Sequence, residues 1–273
     1  MQPKDLGPYL RGEMLIGDDA TPEQLERWFA SEAEGFTAIA HENSPYKNMA
    51  EIIPHGLNSW HFGNVFSGLH GLKGLVFGSA EAQELQVLAP YLKQWYVIEP
   101  GKVYHNPEFY TCPAEFLPVT AQGKVALPDN TVDVVVMLSV LHHIANVSFV
   151  LAEAYRVLKP GGLLILREPI VTMGNWESVR PGLTANERGI PWLWLRQILT
   201  KQGWIIKKET PAIFPPLMSL MRKMGLFSPL KYLSYTYLDA LICFLTRPLY
   251  CYYRPKWWQK FAPSALLVVA RKE

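Results

Sequence analysis

The sequence predicts an α/β fold: a doubly wound, mostly parallel sheet with helices between its strands. Three observations carry this reading. Short apolar runs bounded by turn residues recur from Leu72 to the C-terminus. Segments with helical spacing separate them. One run, "VDVVVMLSV" at 132–140, is apolar almost throughout, as a strand covered on both faces of a parallel sheet must be.

The elements follow in order. Residues 21–40 read as a helix, because Thr21 supplies an N-cap oxygen, Pro22 fits a first turn, and Glu23 and Gln24 follow. Residues 41–70 are rich in Gly, Asn and His and read as loop with short helix. "GLVFG" is a strand that turns at Gly78 into "AEAQELQVLAPYL", which has helical spacing. "WYVIE" at 95–99 is the second strand and 132–140 the third. "SFVLAEAYRVL" is a helix stopped by Lys159-Pro160-Gly161-Gly162. "LLILREP" is a strand, "PWLWLRQILTKQG" a helix ending at Gly203, "WIIKKET" a strand and "ALLVVARK" the last one.

Composition bounds the function. The chain has 273 residues, 49% hydrophobic and 18% charged, enough for one large α/β core with extensions. A net charge of +2 argues against a dedicated nucleic-acid binder. Cys112, Cys243 and Cys251 form no CxxC pair, so a disulfide framework is not expected and a reducing, cytoplasmic setting fits. The first twenty residues lack a signal-peptide layout, and no run is apolar and long enough to predict a transmembrane helix.

Residues 212–263 stand apart, because they separate the last two strands. They hold Arg222, Lys223, Lys231, Arg247, Arg254, Lys256 and Lys260 against one acid, Asp239, and are rich in aromatics. A connection of that length is usually functional or disordered. Three readings stay open. It is a lid whose cations meet a phosphate or sugar phosphate. Or it is a peripheral surface resting on an anionic membrane, with Trp257 and Trp258 at headgroup level. Or it is an extra helical layer. The domain reading is therefore an N-terminal helical and loop extension at 1–70, a core at 71–211 plus 264–273, and a basic aromatic insert at 212–263.

The turn after the first strand limits the ligand. A dinucleotide loop has three glycines, whereas here Gly78 is followed by Ala80, Glu81 and Ala82. Glu81 and Glu84 would oppose a phosphate at the helix start. A phosphate-free nucleoside bearing a cationic group is compatible. Glu99 ends the second strand, where an acid accepts hydrogen bonds from ribose hydroxyls.

With these come Leu127-Pro128-Asp129-Asn130, Val132-Asp133-Val134-Val135, Ser139-Val140-Leu141-His142-His143-Ile144 and Leu158-Lys159-Pro160-Gly161-Gly162. In this order and spacing over about 70–170, they resemble class I S-adenosylmethionine-dependent methyltransferases of the small-molecule, type 11-like kind. The resemblance implies a Rossmann-like sheet of seven strands with an antiparallel last strand, and S-adenosylmethionine as cofactor. It implies Gly78, Ser79 and Ala80 beneath the methionine part, Glu99 on the ribose, Ala114 and Glu115 flanking the adenine, and Ser139 and Val140 on the sulfonium side. The chain departs from the family pattern at Val76, Ala80, Ala82 and Pro113.

Methyl transfer to an alcohol also needs a proton acceptor, and histidine suits neutral pH. His143, ahead of His142, is the expected base, since both follow the third strand's carboxyl end. No metal is expected, on the ground that adjacent histidines point apart and no acids complete a site. The loop after "LLILREP" places Trp176, Arg180, Asn186 and Arg188 as expected contacts to a hydroxyl-rich acceptor. Its "REP…RPGLTANERGIP" pattern, with the basic insert, resembles bacterial methyltransferases linked to glycan or exopolysaccharide assembly. The expected activity is O-methylation of a sugar, glycan precursor or other small hydroxylated acceptor. The alternative is a catalytically inactive binding protein of the same fold.

Overall fold

A computed structural model describes residues 5–41, 65–66, 68–78, 83–176, 178, 180, 182–225 and 233–273. Eight strands form one sheet: β1 (Leu72–Phe77), β2 (Leu92–Ile98), β3 (Glu108–Phe109), β4 (Cys112–Phe116), β5 (Val132–Leu138), β6 (Leu158–Pro169), β7 (Trp204–Ala212) and β8 (Ala265–Lys272). Their order is β3-β4-β2-β1-β5-β6-β8-β7. The β1–β2, β1–β5, β2–β4 and β5–β6 pairs are parallel, and β8 runs antiparallel to both β6 and β7. The expected sheet, with its antiparallel last strand, is therefore present. The strand count is eight rather than seven, because the two-residue β3 adds an antiparallel ribbon to the edge strand β4.

Strand side chains alternate between two cores. In β5, Val135 and Met137 join one hydrophobic cluster and Val134 and Val136 the other. The first cluster is completed by Val147, Val150, Leu151 and Ala154 of α2 (Val147–Val157) and by Leu195 and Leu199 of α3 (Trp192–Lys201). The second is completed by Leu85 and Leu88, before β2. Apolar cover on both faces is the physical reason for the unbroken run in β5.

Local sequence accounts for the boundaries. Helix α1 spans Pro22–His41, and at its start Thr21 Oγ accepts from Gln24 N–H at 3.4 Å while Gln24 Oε1 accepts from Thr21 N–H at 2.8 Å. This reciprocal pair is a capping box. Helix α2 ends at Val157, and the chain passes directly into β6; the Lys159–Gly162 stretch bulges where the register jumps from Val132↔Leu158 to Val134↔Leu163. The helix expected after Gly78 is instead two short 3₁₀ turns, Gln83–Val87 and Ala89–Tyr91, among the described residues. Pro90 in this stretch removes a donor that a continuing α-helix would need. The loop reading of 41–70 falls mostly outside the described residues.

The insert contributes α4 (Pro215–Lys223) and α5 (Leu233–Thr246), with a small core of Phe214, Leu217, Met218, Tyr235 and Cys243. Asp239, its lone acid, is buried and accepts from the Ile213 and Phe214 N–H groups at 2.8 Å each. Arg254 is spent inside the insert, donating to the Cys251, Ala262 and Pro263 carbonyls. Tyr250 donates to Ile170 O at 2.8 Å and Tyr252 to Gly189 O at 2.6 Å. The insert thereby clamps both ends of the 170–189 loop. No helix among the described residues is long and apolar enough to cross a membrane.

Candidate active site

The carboxyl ends of β1, β2 and β5 form one edge. Gly78 leaves β1 with φ +62°, and a Cβ there would lie 2.7 Å from Val140 Cγ2. Only glycine lets the two turns approach this closely. Ser139, at the end of β5, also takes a left-handed backbone, φ +57°. It is held by Ser139 N–H to Arg167 O at 2.7 Å and by Arg167 Nη2 to Ser139 Oγ at 2.9 Å. A non-glycine residue in that region stores strain and is common at functional turns.

Glu99 follows β2 and is buried; its Oε1 accepts from Gly101 N–H at 2.8 Å. That bond orients the carboxylate at the sheet edge. Ala114 and Glu115 lie elsewhere. Their register against Trp95 and Tyr96 puts them inside β4, short of the edge, and Glu115 is exposed and bonded to Gln94. The chain reaches the edge only from Leu117 onward, whose N–H bonds Val97 O. The adenine-flanking expectation for Ala114 and Glu115 is therefore displaced by several residues. Ser79 and Ala80 lie outside the described residues.

The two histidines sit on a 3₁₀ turn, Leu141–His143. Glu168, fully buried at the end of β6, organises it. Glu168 Oε1 accepts from Val140 and Leu141 N–H at 2.8 Å each, and its Oε2 meets His142 Nδ1 at 2.7 Å. The far nitrogen of His142 lies 3.5 Å from Glu187 Oε1. His142 is thus buried between two carboxylates. Burial alone would lower its pKa, but the charge and hydrogen bond of Glu168, then the nearby Glu187 carboxylate, outweigh it and raise the value to about 9. Buried, with each ring nitrogen facing a carboxylate, His142 is poorly placed to take an acceptor's proton, against the expectation for it.

His143 differs. Its Nδ1 lies 2.8 Å from Glu32 Oε2 of α1, and its ring is partly exposed. Its Nε2 lies 3.7 Å from the same Glu187 Oε1. Glu187 is pushed up by burial but held below its ordinary value by His142, His143 and the Thr184 N–H, which donates to its Oε2 at 2.8 Å. The expectation that adjacent histidines diverge fails: the rings lie 4.3 Å apart with a 40° tilt. The tight turn and the arrival of Glu187 from the loop bring both Nε2 atoms to one point. His142, His143 and Glu187 offer three ligand atoms within 4.8 Å of one another, a set that could hold a metal ion.

The loop arginines do not face an acceptor. Arg188 is 1% exposed and donates to the carbonyls of Ile16, Leu141, His142, Ile144 and Ala145. Burial lowers its pKa to about 10. Arg180 donates to the carbonyls of Met173, Thr184, Ala185 and Glu187. Both therefore bind backbone rather than substrate, because a guanidinium fork satisfies several convergent carbonyls at once. Trp176 donates to Thr172 O and packs on the Ile16–Leu25–Trp28 cluster. Asn186 offers its N–H to Glu32 Oε1 at 3.2 Å.

Sequence reading missed Glu32 and Glu168 as site members and gave Glu187 no role of its own. Glu32 carried a signal: it falls four residues after Trp28 and seven after Leu25, on the buried stripe of α1. An acid on an apolar stripe asks for a partner.

Residues 76–166 match the family model described as a methyltransferase domain. The chain carries a methyltransferase domain. Such a domain is that of an enzyme with S-adenosylmethionine as its cofactor. No curated protein sequence matches it. Its fold is similar to several solved structures. The [4+2]-cyclase SpnF aligns with a TM-score of 0.51 and 14% identity over 95% of this chain and 99% of that one. YcgJ from Bacillus subtilis aligns with 0.51 and 13% over 77% and 95%. A putative methyltransferase in complex with the Trm112 activator of Haloferax volcanii aligns with 0.53 and 12% over 89% and 96%. At these identities the likeness concerns the fold alone. The methyltransferase's own residues fit the cofactor. The Gly78–Val140 approach leaves a backbone cradle that a side chain at 78 would fill, and Glu99 stands at the adjoining strand end.

Proposed function

We propose that this methyltransferase transfers a methyl group to a hydroxyl of a sugar, glycan precursor or other small hydroxylated acceptor. The observation that carries the reading is the Glu32–His143 pair beside the Ser139–Val140 turn: a partly exposed imidazole oriented by a buried carboxylate. When bound, S-adenosylmethionine supplies the methyl carbon, whose bond to sulfur breaks, the electron pair staying on sulfur, as the acceptor oxygen bonds to it. Glu99 holds the ribose, Gly78 gives the methionine part room, and Ser139 and Val140 line the sulfonium side. His143 Nε2 takes the hydroxyl proton, with Glu32 on the opposite nitrogen orienting the ring. His142, already charged between Glu168 and Glu187, fixes the turn rather than moving a proton. The closed face around Glu168 and Arg188 excludes water from one side of the site.

The division into extension (1–70), core (71–211 and 264–273) and insert (212–263) belongs to the same reading, with the extension supplying Glu32 and the insert clamping the acceptor loop. The insert also supports contact with an anionic membrane surface. Helix α5 turns Tyr237, Leu238, Leu241, Phe244 and Leu245 outward, and Trp257 is 70% exposed. Lys223, Arg247, Lys256 and Lys260 are exposed nearby in sequence. An outward apolar stripe with basic flanks suits an interfacial helix, and a glycan precursor carried on lipid would be met there.

The deciding experiment is a panel of sugars and glycan precursors incubated with the protein and S-adenosylmethionine, read by mass for one added methyl. Transfer to a hydroxyl, with a hundredfold or greater loss in His143→Ala but retained cofactor binding by calorimetry, supports the reading. Transfer to nitrogen or sulfur acceptors only, or an unchanged rate in the variant, refutes it. Sedimentation with phosphatidylserine vesicles, compared with Trp257→Ala/Trp258→Ala, tests the membrane contact separately.

A further inference from the structure

We propose that His142 Nε2, His143 Nε2 and Glu187 Oε1 form a binding site for one divalent transition-metal ion of the zinc class, with an open position for an oxygen ligand. The two imidazoles are built alike. Each has its Nδ1 on a carboxylate, Glu168 at 2.7 Å and Glu32 at 2.8 Å, which directs Nε2 away from both acids. A carboxylate behind each histidine is the second shell that orients imidazole ligands and raises their basicity.

Both Nε2 atoms face one oxygen, Glu187 Oε1, at 3.5 and 3.7 Å. These separations exceed an ordinary hydrogen bond, roughly 2.7–3.2 Å. They lie close to the ~3.4 Å edge of a tetrahedron whose metal–ligand bonds are about 2.1 Å. Glu187 is itself aimed, because its Oε2 accepts from Thr184 N–H at 2.8 Å.

Charge favours a cation. Glu32, Glu168 and Glu187 are all buried. Among the described residues, their salt-bridge partners are the two imidazoles alone. Arg180 and Arg188 act on these carboxylates through charge alone, their N–H groups going to backbone carbonyls. A dication seated between the imidazoles answers those carboxylates in place of protons on Nε2. Two imidazoles and a carboxylate, with no cysteine, suit zinc-class ions and leave a position open, as in catalytic rather than structural sites.

The inference goes beyond the methyl-transfer reading and does not depend on the acceptor's identity. With the ion seated, an acceptor hydroxyl on the open position would lose its proton to water more readily, and the base role given to His143 above is that of the metal-free protein.

The test uses the full chain without acceptor. Chelator-stripped protein is given zinc chloride, desalted and analysed for metal by mass spectrometry, and cobalt chloride is titrated in parallel by visible absorption. The site predicts one zinc per chain, cobalt bands without thiolate charge transfer, and loss of the ion in Glu187→Ala and His143→Ala. Glu32→Ala keeps the ligands and weakens binding about 10–100-fold. Wild-type protein that retains no zinc, variants that retain it equally, or a thiolate band from Cys112, Cys243 or Cys251 would overturn it. The wild-type stoichiometry and cobalt spectrum decide the matter even where a variant does not fold.

Discussion

Replacing Glu168 tests whether one buried carboxylate holds the active-site turn in place. Glu168→Ala removes three bonds at once: two from the Val140 and Leu141 N–H groups and one from His142. The partners stay buried. Breaking a buried ion pair by removing one member costs about 3–5 kcal/mol. Each orphaned N–H adds about 1 kcal/mol or more unless water enters the space left by the side chain. Entry of water and relaxation of the short turn offset part of this, so about 4 kcal/mol is expected. For a chain of this size that corresponds to a fall of roughly 8–15 °C in melting temperature. Glu168→Gln keeps one oxygen for the two N–H groups but turns an NH₂ toward His142, so about half the loss is expected. The assay is thermal and urea unfolding followed by circular dichroism on the three proteins. The order parent, Gln, Ala is required. An Ala variant melting within about 2 °C of the parent would refute the claim that Glu168 organises the turn.

Three further outcomes follow from the same geometry. Gly189→Ala drives a Cβ into Val171 O and places it 2.7 Å from Pro169 O, so it should cost about 3 kcal/mol and shift Glu187, read as a lower melting temperature and reduced methyl transfer with cofactor binding retained. Arg188→Lys leaves at least two of five carbonyls unmet, since an ammonium has three donors, and should lose about 2 kcal/mol or more in urea unfolding despite the kept charge. Tyr250 is partly buried, and the burial of its hydroxyl raises its pKa from about 10 to about 12. Because the folded value is the higher one, its contribution is complete below pH 10 and is lost as pH rises toward 12, by up to about 3 kcal/mol. Tyr250→Phe should therefore lose less stability than the parent between pH 10 and 12, and equal slopes in denaturant titrations would count against this account.

Much of the fold was legible because its signals are local. The apolar run of β5, the capping box at Thr21 and the "ALLVVARK" strand each follow from a few neighbouring residues, and β8 spans the expected residues. The eighth strand was not legible, since a two-residue ribbon has no period to detect. The placement of the candidate residues was legible in part. Gly78, Glu99, Ser139 and Val140 meet at one edge because they sit at strand ends, which sequence can mark. Arg180 and Arg188 were misread because a loop arginine looks the same in sequence whether it faces solvent or five carbonyls.

The sequence by itself determined the doubly wound sheet, the methyltransferase motifs and a basic, aromatic insert between the last two strands, since all three depend on spacing along the chain. The tertiary structure alone decided the chemistry around the histidines. Glu32, His142, His143, Glu168 and Glu187 come from a helix, a turn, a strand end and a loop, and their nearest approach spans up to 111 residues of chain between Glu32 and His143. Charge and hydrogen bonding act over a few ångströms of space, so no pattern along the chain could show that both imidazoles back onto carboxylates and turn toward Glu187.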